Sequence, residues 1–350
     1  MNLAVPAKLE YFAIFTTSMQ ITRILLIQTA YIGDVVLATP LIQQLSDRLP
    51  EAKIDFLLRK GNENLLENDP KINQVLVWDK KSGKFNELLR LVANVRKNKY
   101  DLLINVHRFT STGLVSAFSG ARIKIGFDKN PLSLFYDHKV KHEIGNGLHE
   151  VERNLKLLET VIDVSYSRPS LHLLETTRES VKPFKSAPYI TLAPTSVWFT
   201  KQFPAEKWAL FLRETTFKGN IYLLGGPADH AACDQIISLS GRRDVINLCG
   251  KLTLTESAAL MEDSVMNYVN DSAPMHFSSA VNAPTTALFC STVPDFGFGP
   301  LADDSAVVQT DLDLDCRPCG LHGYSKCPKG HFRCTSTVDV RRLEERLIAR

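Results

Sequence analysis

Twice along the chain, short runs of β-branched and leucine residues alternate with longer amphipathic stretches. No other feature restricts the fold as much. From Ile21, the runs ITRILLIQ, KIDFLLR, QVLVWD, YDLLINV and RIKIGFD read as strands. Between several of them, PLIQQLSDRL and FNELLRLVANVRKN carry apolar residues at three- and four-residue spacing, the period of a helix. Such alternation implies a parallel sheet covered by helices on both faces. HEVERNLKLLETVIDV reads as a helix closing the first half, and the proline-bearing SYSRPSLHLLETTRESVKPFKSAP after it reads as the domain boundary. The pattern then restarts with YITLAP and continues through NIYLLGG, DVINLCG, VMNYVN and TTALFC. The expectation is an α/β chain of two Rossmann-like, doubly wound domains facing a central cleft. The N-terminal domain is expected over 19–170, a linker over 171–187, and the C-terminal domain with a cysteine-rich tail over 188–350. Residues 1–18 read as a leader, disordered or untranslated, because Met19 sits just before the first convincing strand.

Lys and Arg exceed Asp and Glu by 41 − 38 = 3, too small a surplus to argue for a nucleic-acid partner. No apolar run reaches the roughly 18 residues of a membrane span. The leader contains Lys8 and Glu10 and lacks a small-residue cleavage site, which argues against a secretory signal. The expected location is the cytoplasm. Local basic runs have two readings, a solvated face or attraction to an anionic substrate or membrane surface.

Open α/β sheets bind ligands beyond the carboxyl ends of their strands, so residues just after strands are the candidates. After the first strand, QTAYIGDVVLATP places Gly33 and Asp34 at a strand-to-helix turn. Gly33 would let the chain turn tightly. Asp34 would either cap a helix beginning at Val35 or project as a functional carboxylate. In the second half, APTSVWFTKQFPAEKW supplies Thr195, Ser196 and Lys201, groups that can hold a phosphate or merely shape a helix entry. LLGGPADH places Gly225 and Gly226 at a strand end, where backbone can approach a ligand. VNDSAPMHFSSAV offers Asp271, Ser272, Ala273 and Pro274 at a helix start, a ready anion site, with His276 one turn in. Glu256 in KLTLTESAAL is either a first-turn acid or a ribose contact. Arg59, Lys60, Arg108 and Lys124 follow first-domain strands and are either acceptor contacts or plain surface charge.

IGDVVLATPLI, the pattern P-x-x-x-W-x-x-K-x-F-P-x-x-x-W from Pro194 to Trp208, LLGGPAD, GKLTLTESAAL and NDSAPMHFSSAVNAPTTALF occur in that order. With GLHEVERNLKLL, the set resembles glycosyltransferase family 9, the ADP-heptose:lipopolysaccharide heptosyltransferases, from about Ile21 onward. The resemblance implies a GT-B architecture with the acceptor held by the first domain and the nucleotide-sugar donor by the second. It implies inverting, metal-independent transfer, with no cofactor required for catalysis. Asp34 matches the family's general base. Thr195, Ser196 and Lys201 match its diphosphate holders, and Asp271, Ser272 and His276 its donor segment. The implied donor is an ADP-sugar, and the implied acceptor a lipopolysaccharide core or related envelope glycan at the inner face of the cytoplasmic membrane. Two departures stand out: Ala273 replaces a usual glycine, and FCST at Phe289–Thr292 replaces Phe-Gly-Pro-Thr. The alternatives are a degenerate nucleotide-sugar-binding or scaffold protein and a sugar-nucleotide epimerase.

The tail CRPCGLHGYSKCPKGHFRC holds Cys316, Cys319, Cys327 and Cys334. Structural zinc, reduced structural thiols and a redox disulfide are its three readings. Cys233, Cys249 and Cys290 lie in apolar surroundings and read as core residues.

Overall fold

A computed structural model describes residues 20–81 and 84–348; the leader assigned to 1–18 lies outside them. The chain divides into two compact units. The first comprises the residues up to Glu143 together with Glu150–His172, and the second comprises Ile144–His149 together with the chain from Leu173 onward.

In the first unit, strands β1 (Arg23–Ile27), β2 (Lys53–Arg59), β3 (Gln74–Trp78), β4 (Leu102–Asn105), β5 (Ile123–Phe127) and β6 (His138–Val140) form one sheet in the order β3-β2-β1-β4-β5-β6. Every neighbouring pair is parallel. The helices are α1 (Ile32–Leu37), α2 (Thr39–Arg48), α3 (Lys84–Lys97), α4 (Thr110–Phe118) and α5 (Glu150–Leu155). Ile24, Leu25, Leu26 and Ile27 of β1 are all fully buried, as a central parallel strand covered on both faces requires.

The second unit repeats the plan. Helix α6 (Glu175–Val181) precedes β7 (Tyr189–Ala193), α7 (Ala205–Glu214), β8 (Asn220–Leu223), α8 (His230–Ser240), β9 (Val245–Asn247) and α9 (Leu254–Glu262). After these come β10 (Met266–Asn270), α10 (Ala273–Ala280), β11 (Thr285–Phe289), β12 (Ser305–Gln309), α11 (Arg333–Ser336) and α12 (Arg341–Ile348). Its sheet order, β12-β11-β10-β7-β8-β9, is again all parallel. Numbered from its own first strand, each sheet has the order 3-2-1-4-5-6 of a Rossmann fold. Phe203 and Trp208 meet edge-to-face at 5.3 Å inside the second core, so the apolar half of the Pro194–Trp208 pattern is packing. Cys233, Cys249 and Cys290 are buried thiols, and the Sγ atoms of Cys233 and Cys249 lie 3.2 Å apart.

The segment 171–187 is built into the second unit from Leu173 onward. Arg178 forms a two-pronged pair with Glu262 at 2.9 and 3.0 Å, and Lys185 bonds Asp263 at 2.6 Å and the Ala259 carbonyl at 2.9 Å. These contacts fix α6 on α9.

Asp55 interrupts the apolar run of β2, yet it is fully buried. It accepts the Tyr100 hydroxyl and the Asn73 amide, both at 2.7 Å, with the Arg23 guanidinium 3.5 Å away. Burial and the Asp55 carboxylate together push the Tyr100 phenol far above its ordinary value. Asp55→Ala would strand these donors away from water. We expect it to cost about 3 kcal/mol, read as a lower urea midpoint with an unchanged denaturant slope.

Candidate functional site

Because every strand is parallel, the turns after β1, β2, β3 and β4 share one edge of the first sheet. Helix α1 starts at Ile32, earlier than the sequence pattern suggests, with Tyr31 as its N-cap. Asp34 is therefore the third helical residue, and its Oδ2 accepts the Tyr31 N–H at 3.0 Å. Gly33 is buried in that first turn and is absent from the glycines with positive φ, so the turn is not made by glycine freedom. Burial, followed by repulsion from Glu150, pushes the Asp34 carboxyl up to about 6; the Tyr31 N–H and Arg108 pull in the opposite direction.

Beside this turn is a cationic cluster. Lys80 donates to the Thr29 carbonyl at 3.0 Å and the Thr29 hydroxyl at 2.8 Å, and lies 4.9 Å from the centre of the Trp78 ring. The Thr29 hydroxyl, accepting from the ammonium, also pairs with His107 Nδ1, 3.1 Å away. Burial and then the Lys80 and Arg108 charges push His107 down to about 3, and it is a neutral imidazole. Burial and then Arg59 hold Lys80 down at about 8. Arg59 ends β2 with its guanidinium 5.0 Å from the Tyr31 ring centre. Arg108 contacts His142 Nδ1 at 3.0 Å. Lys60 is ion-paired with Asp79 at 2.9 Å.

Lys124 does not follow a strand. It is the second residue of β5, at the opposite edge of the sheet from Asp34, and it bonds the Ala121 carbonyl at 3.0 Å with Asp137 3.5 Å away. Sequence reasoning missed Lys80, Thr29 and His107. Lys80 carried a usable signal, lying two residues past a strand end.

In the second unit, the turns after β7, β8, β10 and β11 again share one edge. Asn270, fully buried at the end of β10, ties two of them together: its amide donates to the Pro194 carbonyl at 2.6 Å and its carbonyl accepts Phe203 N–H at 3.1 Å. This clamp shapes the Thr195–Gln202 loop. Lys201 meets Asp271 at 2.7 Å, with side-chain exposures of only 15% and 7%. The Thr292 hydroxyl donates to the same Asp271 carboxylate at 2.6 Å.

Thr195 and Ser196 are half-buried, and the Ser196 carbonyl accepts the Gln202 amide at 2.6 Å. Ser272 is the N-cap of α10, Ala273 and Pro274 open the helix, and His276 is buried one turn in. Ala273 lies outside the positive-φ set, so alanine suffices where the family uses glycine. A Cβ added at Gly225 would sit 2.8 Å from Asp229 Cβ and 2.9 Å from Cys249 Sγ, so no side chain fits there, and Gly226 N–H donates to Asp229 at 2.8 Å. Glu256 closes a capping box with Thr253 and accepts the Ser180 hydroxyl at 2.9 Å, so its carboxylate is engaged in holding α9.

The tail folds back onto this same edge. Thr200 N–H donates to the Tyr324 carbonyl at 3.1 Å, and Tyr324 N–H returns to the Thr200 hydroxyl at 2.8 Å. The Ser291 hydroxyl reaches the Thr200 hydroxyl at 3.0 Å. Gly323, at φ +76°, lies so near that a Cβ would sit 2.8 Å from Thr200 Oγ1 and 3.1 Å from Lys201 Cγ. Arg317 donates to the carbonyls of Cys290 (2.8 Å) and Thr292 (2.9 Å). Cys319 Sγ donates to the Cys316 carbonyl at 3.0 Å, and Cys316 lies 3.9 Å from His331. Among the described residues, no group of three His, Cys, Asp or Glu side chains is arranged to hold a metal ion. The zinc reading of Cys316, Cys319, Cys327 and Cys334 is thus not supported. The tail is pinned to the sheet edge by Arg317 and Tyr324 instead.

The model of glycosyltransferase family 9 (heptosyltransferase) matches residues 88–323. Lipopolysaccharide heptosyltransferase 3 of Escherichia coli K12 is 30% identical over 285 residues, covering 75% of this chain and 80% of that protein. Among solved structures, the glycosyl transferase family 9 protein of Veillonella parvula superposes with a TM-score of 0.82 at 22% identity, over 95% of this chain and 99% of that one. The E. coli ADP-heptose lps heptosyltransferase II gives 0.77 at 22% identity, over 94% and 98%. With two parallel Rossmann-type sheets and matches of this extent, the chain belongs to glycosyltransferase family 9 and is a glycosyltransferase of the GT-B fold.

Proposed function

We propose that this enzyme transfers heptose from ADP-heptose to a lipopolysaccharide core, inverting the anomeric carbon without a metal. The observation that carries the reading is Asp34, a carboxylate with a raised proton affinity in the first turn of α1, on the sheet edge that also bears Lys80, Arg59 and Arg108. An acceptor hydroxyl attacking an anomeric carbon must shed a proton, and a carboxyl near 6 is ionised at neutral pH yet still basic enough to take it. Lys80, Arg59 and Arg108 suit an acceptor carrying carboxylate or phosphate groups. In the second unit, Lys201, the hydroxyls of Thr195 and Ser196, and the start of α10 suit the donor diphosphate. As the sugar–phosphate bond breaks, Lys201, held by Asp271, offsets the charge that builds on the departing nucleotide. The names of the relatives supply the donor sugar and the acceptor class.

An acceptor of that class fits an enzyme of the cytoplasm working at the inner face of the membrane. No helix among the described residues is long and apolar enough to cross a membrane. Peripheral contact is supported by Phe109 and Leu134, which are 65% and 67% exposed on the turns after β4 and β5.

Four outcomes test this. Asp34→Asn should lower kcat by ~10²–10⁴. In the unmutated enzyme, kcat/KM should rise with pH through about 6 and then level off. The same substitution should raise the melting temperature at pH 8. An acid whose folded value is raised disfavours the folded state once pH exceeds its ordinary value near 4, and a neutral amide removes that cost. An unchanged rate in Asp34→Asn sinks the base assignment. For the donor, ADP at ~100 times its dissociation constant should add roughly 2.7 kcal/mol of stability, visible as a thermal shift that survives EDTA and is not reproduced by UDP or GDP. A shift that EDTA abolishes overturns metal independence.

A further inference from the structure

We propose that Glu150 is a positioning residue for the transfer reaction: its buried, paired carboxylate, carried on the helix bound to α1, presents a fixed negative charge to Asp34. The inference rests on the reading of Asp34 as the base and extends it to a charge that adds to the effect of burial on its basicity.

Glu150 is 4% exposed and opens α5. Its Oε2 accepts Arg153 Nε at 2.7 Å, with His142 Nε2 3.5 Å away. Arg153 is itself 2% exposed. A carboxylate this deep persists as an anion only with such partners, and these hold Glu150 below the ordinary glutamate range against the opposing effect of burial. His142 is fixed in turn by Arg108 at 3.0 Å, by its own N–H to Asp128 at 3.0 Å, and by the edge of Phe127 at 4.7 Å. Asn154, on the same helix, donates to the Leu37 carbonyl at 3.2 Å, which fastens α5 to the end of α1. Glu150 therefore cannot swing away from the helix that bears Asp34.

The charges facing Asp34 are Glu150, which repels a second anion, and Arg108, which favours one. Facing Glu150 are the Arg153 and Arg108 guanidinium charges and the His142 ring. Arg108 acts on both carboxylates, and Arg153 on Glu150. Glu150 takes the close pairing and stays ionised, and Asp34 is left as the one that binds a proton more readily. Such a division of roles between neighbouring acids is what proton abstraction at neutral pH needs.

The experiment is a ¹³C-carboxyl NMR titration of Asp34 in the full-length wild type, Glu150→Gln and Glu150→Asp, alongside the pH dependence of kcat/KM. In Glu150→Gln the Asp34 midpoint should fall by roughly half a pH unit or more, and the acid limb of the rate profile should move with it. Glu150→Asp, which keeps the charge, should restore both. An Asp34 midpoint that does not move in a folded Glu150→Gln protein overturns the proposal. If that variant does not fold, the wild-type titration decides: Glu150 must stay ionised while Asp34 titrates, and a Glu150 that titrates alongside Asp34 overturns it. A midpoint that moves while the rate profile stays still refutes Asp34 as the base and leaves the coupling intact.

Discussion

A parallel sheet covered on both faces leaves its strands no water, so polar work is confined to the turns at the sheet's edges. Everything chemical in this protein follows from that confinement. Within each sheet every strand runs the same way, and the turns that follow the strands collect at one edge of that sheet. In the first unit that edge gathers Asp34 with Lys80, Arg59 and Arg108; in the second it gathers Lys201 with Asp271 and the start of α10. The residues concerned are scattered along the chain and have little else in common.

The two edges use carboxylates in opposite ways. Asp271 is locked to an ammonium and a hydroxyl, and its negative charge fixes where Lys201 sits. Asp34 has backbone N–H support and the favouring charge of Arg108 but no close ion pair among the described residues, and burial leaves it reluctant to ionise. Side by side in sequence logic, both are acids just past a strand. Only their surroundings separate a structural anion from the proton acceptor proposed here.

The layered architecture was legible because periodicity reports it directly, and the turns after strands were legible because residue type and position coincide there. What escaped were charges that the pattern assigns to the surface. Asp55 in β2, Glu150 and Arg153 in α5 are buried, yet nothing local distinguishes them from solvated charges; their partners lie up to 45 residues away. Glu256 shows the converse, a residue whose local signature, Thr253 three positions earlier, described its cap role well. The three-residue β6 is too short to stand out, and β12, whose apolar Ala306–Val308 follows Asp303 and Asp304, is masked by its polar flanks. The tail was opaque for another reason. Its four cysteines drew attention to metal, whereas the residues that anchor it are Arg317 and Tyr324.

Arg317 has a consequence for how such a site can diverge. Its guanidinium reads the main-chain oxygens of Phe289, Cys290 and Thr292, and one side chain, that of Gln309. A clamp that grips the backbone is indifferent to which side chains hang from it. The segment Phe289–Thr292 can therefore exchange Gly-Pro for Cys-Ser without loosening its path, and its hydroxyls can be reassigned, as Ser291 is to Thr200 and Thr292 to Asp271. Sequence drift at the rim of the second sheet is in this way uncoupled from the shape of the rim, leaving room for one lineage to retune what it grips while keeping the same scaffold.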